Sequence, residues 1–310
     1  MMLSLMAAAL MFAGPTETHV TLEATPAPLH GTMLRPAGEM VAAAVIIPGS
    51  GPTDRDGNSP LGVSNGSLKQ LAEGLAARGI ATVRIDKRGI AASLPAVVSE
   101  AQLRFDTYVE DARNWARLTA EQTGAPCVWL IGHSEGALVV QSAAADKDAP
   151  VCGQILLAGV GRPVGVVLRE QLSVQLPQPL KDETFDMLAE LEAGRTVENP
   201  PVALMALLRP SVQPYLISWM KRDPAQLARD YDGPIFIGQG TTDLHTTVVD
   251  AQALHSAQPR SELNIWEGIN HTLTEAPADR AANIATYTNV NAKIAPQVVE
   301  DVADFILTPR

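Results

Sequence analysis

Short apolar runs alternate with amphipathic segments along most of the chain. AAAVIIPG (42–49), IATVRID (80–86), CVWLIG (127–132) and CGQILLAGV (152–160) are nearly continuous apolar stretches, each of strand length. Such runs, rather than an alternation of apolar and polar residues, predict strands buried on both faces. Between them, LKQLAEGLAARG (68–79) and FDTYVEDARNWARLTAEQTG (105–124) place apolar residues three and four apart and end at glycine, as helices do. GALVVQSAAA (136–145) predicts a third helix. Alternation of this kind predicts a parallel sheet with helices on both faces. Ahead of it, THVTLEA and LHGTMLRP alternate enough to form an edge hairpin, divided by Pro26 and Pro28.

The rhythm breaks after residue 161. From Arg162 to Asp232 the sequence offers helix-like pieces such as VGVVLREQL, DETFDMLAELEAG, VALMALL and YLISWMKRD, repeatedly interrupted by proline, and no strand. This predicts a helical cap or lid inserted at 162–232 into a core made of 15–161 and 233–310. PIFIGQG (234–240) and ELNIWEG (262–268) resume the sheet around a helix near 247–257, and VVEDVADFIL (298–307) predicts a closing helix. The first fourteen residues, MMLSLMAAALMFAG, hold an apolar run too short to span a bilayer and suited to a signal-peptide core, although Lys and Arg are missing from its start. Export to the periplasm or medium is the expectation, a cytoplasmic location the alternative. No other stretch is apolar and long enough for a transmembrane helix.

The chemistry concentrates in Gly132-His133-Ser134-Glu135-Gly136, a G-x-S-x-G sequence between a predicted strand and a predicted helix. A serine on that sharp turn projects beyond the sheet, with the N–H groups of the helix start facing the reacting carbonyl. A serine hydroxyl needs a base oriented by an acid, and on this architecture the chain order is Ser, acid, His. Asp243 follows the strand PIFIGQ and His271 follows ELNIWE, so both fall at the carboxyl edge of the sheet in that order. Asp250 and Glu275 are the next acids considered, and His245 the next base.

Acyl transfer also needs hydrogen-bond donors for the developing oxyanion. The N–H of Glu135 is one. The other falls in Pro48-Gly49-Ser50-Gly51-Pro52, where Ser50 N–H is the first choice and Gly51 the next. Asp54, Arg55 and Asp56 lie beside this loop; ion pairing of Arg55 or Arg88 with Asp56 or Asp86, pinning two loops, explains them better than contact with substrate. The Glu135 side chain either disfavours anionic substrates or faces away. His133 is expected to pack beneath the turn.

Composition narrows the partners. Of 310 residues 46% are hydrophobic, enough for a core, but only 4% are aromatic, so aliphatic side chains must fill it. A formal charge of -11 argues against nucleic acid and anionic membrane surfaces as partners. No His, Asp and Cys spacing fits a metal, and GSGPTDRDG lacks the ending of a phosphate loop, so no cofactor is expected. Cys127 and Cys152 precede two predicted strands. If those strands are parallel neighbours a bridge is feasible, which would fit an oxidising compartment; two buried thiols are the other reading.

With these motifs in hand, the chain resembles an α/β-hydrolase from about residue 18 to the end. More narrowly it is similar to bacterial serine esterases that carry PGSGP-x-DRDGN after the third strand, here PGSGPTDRDGN at 48–58. They share a D-K-R-G turn (Asp86-Lys87-Arg88-Gly89), a GHSEG turn, and a late G-x-x-D and N-H pair. The resemblance implies Ser134, Asp243 and His271 as triad and Ser50 and Glu135 as oxyanion donors. The chain departs from relatives at Pro48, where many have histidine, and after Arg88, where Gly89-Ile90-Ala91-Ala92-Ser93 lacks their second glycine. The expected activity is hydrolysis of a small or medium carboxylic ester through an acyl-enzyme. A peptidase, thioesterase, lactonase or acyltransferase would use the same groups, and a non-catalytic binding protein would keep only the fold.

Overall fold

The structure is a computed structural model and describes residues 14–309. The signal-peptide reading of residues 1–14 therefore lies outside the described residues except at Gly14. Among the described residues the apolar runs become strands of a single eight-stranded sheet. The edge hairpin is β1 (Thr16–Leu22) and β2 (Leu29–Arg35), antiparallel. β3 (Ala42–Ile47), β4 (Ile80–Ile85), β5 (Val128–His133), β6 (Val151–Leu157), β7 (Ile235–Gly240) and β8 (Glu262–Trp266) follow. Their spatial order is β1-β2-β4-β3-β5-β6-β7-β8, parallel from β4 onward.

Both faces of β3, β4, β5 and β7 are buried, which is why those strands read as unbroken apolar runs, whereas the edge strand β8 is largely exposed. Val45 and Ile47 of β3 face one apolar cluster while Ala44 and Ile46 face the other. Helix α1 (Ser67–Ala77) buries Leu68, Leu71 and Leu75 in the second cluster, at the spacing of one helical face. Fully burying each such leucine stabilises the fold by about 1.5–3 kcal/mol. The closing helix joins the same face through Val298, Val302 and Phe305. On the opposite face α2 (Phe105–Thr123) and α3 (Glu135–Ala144) pack together, and α3 lies across β5 and β6. Helix α2 stops where Gly124 turns left-handed at φ 72°.

Between β6 and β7 the chain is helical, as the patterning predicts: α4 (Val164–Ser173), α5 (Leu180–Glu192), α6 (Met205–Leu208), α7 (Gln213–Met220) and α8 (Pro224–Asp230). The last of these packs against α3 and α9 (Val248–Ala257), so it belongs to the flank of the sheet. Elements without a sequence expectation include the 3-10 turns at Ala91–Ala96 and Glu100–Gln102 and helix α10 (Arg280–Tyr287). The closing helix, α11, runs from Pro296 to Leu307. β5 and β6 are parallel neighbours, and Cys127 and Cys152 at their amino ends form a disulfide with Cα atoms 5.2 Å apart. No helix among the described residues is long and apolar enough to cross a membrane.

Candidate active site

β5 ends and α3 begins with a single residue between them. Ser134 bridges the two at φ 56° and ψ -121°, a region that L-residues adopt only under constraint from their surroundings. The constraint is close packing. A Cβ at Gly132 would overlap the Gly136 carbonyl, and one at Gly136 would overlap the Ile47 carbonyl of β3. Only glycine at both positions lets the helix start so near the sheet. Glu135, the first residue of α3, has no carbonyl one turn earlier to occupy its N–H.

Asp243 and His271 come from loops after β7 and β8, and their side chains meet: His271 Nδ1 lies 2.9 Å from Asp243 Oδ2. The acid is held from several sides. Gln239 Nε2 and Thr246 Oγ1 donate to Oδ2 at 3.1 and 3.0 Å, and the N–H groups of His245 and Thr246 donate to Oδ1 at 2.7 and 3.1 Å. Burial alone would raise this carboxyl. The charge of His271 and its hydrogen bond, with the two backbone donors, outweigh burial and hold Asp243 down at about 2. It is therefore a carboxylate throughout the neutral range.

His271 is carried on a tight loop. Asn270 Oδ1 accepts the N–H groups of Thr272 and Thr274, and its Nδ2 donates to Asn283 Oδ1 of α10 at 3.1 Å. Asn283 in turn donates to the Thr242 carbonyl at 2.8 Å, which ties the Asp243 loop to the His271 loop. Beneath them His133 is buried, its Nε2 2.7 Å from the His271 carbonyl oxygen. Burial, then the neighbouring His271, push the His133 imidazole down to about 3, so it is neutral and donates this bond.

The loop after β3 is fastened by the turn after β4. Arg55 pairs with Asp86 at 2.5 Å, the pairing expected to pin two loops. Arg88 has a different partner from those expected: it is bidentate to Asp111 of α2, at 2.7 and 3.0 Å, while Asp56 faces Arg84. The Glu135 side chain also differs from the idea of a repulsive charge beside substrate. It is buried, and Lys87 Nζ lies 3.0 Å from its Oε1 and 2.5 Å from the Gly49 carbonyl. In the turn after Arg88, Ala91 adopts a left-handed φ of 45°, with Ala92 N–H and Ser93 Oγ bonded to Asp86.

Ser50, Ser134, Glu135 and His271 line one cavity of about 600 Å³. Val164, Val167 and Leu168 of α4 and Leu216 and Trp219 of α7 supply much of its apolar wall. Ser134 Oγ makes no hydrogen bond to His271 among the described residues; such contacts are often loose before substrate enters. Of the other candidates, Asp250 is buried against Arg162 at 3.0 Å and caps α9, and Glu275 is exposed on the surface. His245 lines the cavity with its ring centroid 4.6 Å from that of His271, but the buried acid bonds its backbone and not its ring. Sequence reasoning missed the parts played by Lys87, Gln239, Thr246 and Asn283. The D-K-R-G turn and the buried polar residue within the apolar run PIFIGQG are the only local signals for any of them. No cluster of metal-ligating side chains occurs among the described residues.

A serine on a strained strand-to-helix turn, with an Asp–His pair beyond two later strands of a sheet in this order, defines the α/β-hydrolase class. The chain belongs to the family described as serine aminopeptidase, S33 (Hydrolase_4), whose model matches residues 61–277. It is 26% identical over 234 residues to the esterase EstD of Thermotoga maritima, a match covering 74% of this chain and 54% of that protein. The chain thus spans about half the length of this curated relative. Among solved structures it is similar to the esterase domain of a Rhodothermus marinus protein, with TM-score 0.55, 18% identity, and coverage of 86% of this chain and 93% of that one. The esterase Pf2001 of Pyrococcus furiosus superposes with TM-score 0.58 at 13% identity, covering 94% and 92%. At these identities the structural likeness speaks for the fold.

Proposed function

We propose that this chain hydrolyses carboxylic esters of small or medium size, with Ser134 as nucleophile. The observation that carries the reading is the pairing of buried Asp243 with His271, which opens onto the same cavity as Ser134. In this mechanism His271 takes the hydroxyl proton as Ser134 Oγ bonds to the ester carbon. Asp243 holds the imidazole with Nδ1 protonated and Nε2 free, and stabilises the imidazolium that forms. The N–H groups of Ser50 and Glu135 receive the oxyanion. His271 returns the proton to the departing alkoxide, and water, deprotonated by His271, then releases the acyl group. Helices α4, α6 and α7 serve as the roof of the acyl or alcohol pocket, and their apolar side chains favour apolar groups there.

The family's description raises aminopeptidase activity as a second reading. A free α-ammonium calls for an unpaired carboxylate in the pocket. Among the described residues lining the cavity Glu135 is the sole carboxylate, and Lys87 already neutralises it. This favours an ester over an aminoacyl amide. The esterase names of the similar proteins support the same choice. The Cys127–Cys152 bridge supports action in an oxidising compartment, periplasmic or external.

The test is hydrolysis of p-nitrophenyl esters from acetate to octanoate, beside aminoacyl p-nitroanilides, by wild type and by Ser134→Ala. Ester turnover that vanishes in the variant is the expected result. Turnover of the anilides alone would replace this reading with the peptidase one.

A further inference from the structure

The Lys87–Glu135 pair is almost completely enclosed, with the two side chains 2% and 3% exposed. Enclosing two charges costs both their hydration, and an apolar pair of the same volume commonly serves stability as well or better. What an apolar pair does not supply is a cation on the Gly49 carbonyl. That carbonyl and the Ser50 N–H belong to one planar trans peptide, in which C=O and N–H point in opposite directions. A hydrogen bond to the oxygen therefore fixes where the N–H points. A cation there also draws electron density from the amide nitrogen and strengthens its N–H as a donor. The carboxylate completing the pair belongs to Glu135, whose own N–H is the other candidate donor. Tyr108 stacks over the ammonium, with Lys87 Nζ 5.1 Å from its ring centroid, and limits the directions it can take.

We propose that Lys87 is the positioning residue of the oxyanion site: its ammonium, bonded at once to the Gly49 carbonyl and the Glu135 carboxylate, aligns both backbone donors and polarises the Ser50 N–H. Lys87 touches no reacting atom. The proposal rests on the reading of Ser134 as nucleophile with Ser50 and Glu135 as donors. Its consequence is a separation of effects: loss of the cation should impair the tetrahedral state and leave binding of the planar ester nearly untouched.

The experiment compares wild type, Lys87→Met, Lys87→Gln and the paired variant Lys87→Met/Glu135→Leu. Melting temperature, kcat and KM on a p-nitrophenyl ester, and affinity for an aryl trifluoromethyl ketone are measured. The ketone carbon accepts Ser134 Oγ, His271 takes the hydroxyl proton, and the ketone oxygen becomes an oxyanion in the donor site. The paired variant, free of buried charge, is expected to melt near wild type. Its kcat and ketone affinity should each fall about 10- to 100-fold, less than the loss of a whole donor, with KM within about threefold. Lys87→Gln, which keeps a donor for the Gly49 carbonyl, should recover part of the loss seen in Lys87→Met. A folded paired variant with kcat and ketone affinity within about twofold of wild type overturns the proposal, as does equal activity of the Met and Gln variants. A wild type that neither turns over the ester nor binds the ketone overturns the esterase reading and this inference together.

Discussion

The imidazole of His133 lies beneath that of His271, ring centroids 4.8 Å apart, and donates from Nε2 to the His271 backbone carbonyl at 2.7 Å. One histidine thus anchors the backbone that presents another. The anchor is useful only while neutral and singly protonated, and burial keeps it so.

This arrangement carries a pH signature. The His133 imidazole is pushed from 6.5 to about 3 in the fold, so below pH 6.5 the unfolded chain binds a proton that the folded one refuses. The folded state is fully favoured above pH 6.5 and loses stability as pH falls, until the folded group itself protonates near 3. The slope approaches about 1.4 kcal/mol per pH unit. His133→Gln keeps an N–H donor but does not titrate. In guanidinium unfolding at pH 6.5 and 5, wild type should lose about 1–2 kcal/mol more than the variant. Parallel losses would remove the account.

Asp243 behaves in the opposite sense to an ordinary buried acid. Its carboxyl is lowered from 3.8 to about 2 despite burial, so the stability it contributes is present above pH 3.8 and disappears as pH falls through about 2. The amount is about 2 kcal/mol. Asp243→Asn should lack this descent in acid unfolding curves. The amide also presents the wrong partner to His271 Nδ1, and kcat is expected to drop by ~10⁴-fold with the fold retained. An active Asn variant would show that the acid lies elsewhere.

Ala91 holds a left-handed φ of 45° and is exposed. Glycine there relieves backbone strain of about 1–2 kcal/mol and gives back part of it through a more flexible unfolded chain. Ala91→Gly is expected to raise stability by ~0.5–1 kcal/mol without changing kcat. A lower melting temperature would contradict the strain argument.

The disulfide joins residues 25 apart in sequence. Closing a loop of that size in the unfolded chain stabilises the fold by about 3.5 kcal/mol in the chain-entropy model. The Cys127→Ser/Cys152→Ser variant should unfold at correspondingly lower guanidinium concentration yet show wild-type kcat, because the bridge lies at the amino ends of the strands. Altered kcat with unaltered stability would reverse the expectation.

Much of this architecture is legible in the sequence because buried parallel strands leave unbroken apolar runs and their helices end at glycine. The Gly132-Ser134-Gly136 turn is legible for the same local reason: a close approach of helix and sheet excludes every other side chain at its flanks. Contacts between distant segments leave no such mark. Lys87 and Glu135 stand 48 residues apart, and His133 bonds a backbone oxygen 138 residues away, which no residue type at position 271 advertises. Helix α10 escapes because it turns only Asn283 and Tyr287 fully inward, too few to set a period. Arg88 was readable as an ion-pair former, but nothing local distinguishes Asp111 from Asp86 as its partner.

β6 and β7 are hydrogen-bonded neighbours, Gln154 opposite Ile235 through Leu157 opposite Gly238, although the whole helical segment intervenes between them. The chain leaves the sheet at the carboxyl end of one strand, wanders, and re-enters beside it at the amino end, with α8 making the return along α3. A detour of this kind is a branch on the scaffold. It leaves the pairing of β6 with β7 uninterrupted, while its inner side chains share one apolar cluster with α2 and α3. The wall of the cavity and the strands that carry Ser134 and Asp243 thus come from separate stretches of chain, and a substitution on the cavity face of α4 or α7 changes the wall without touching a strand.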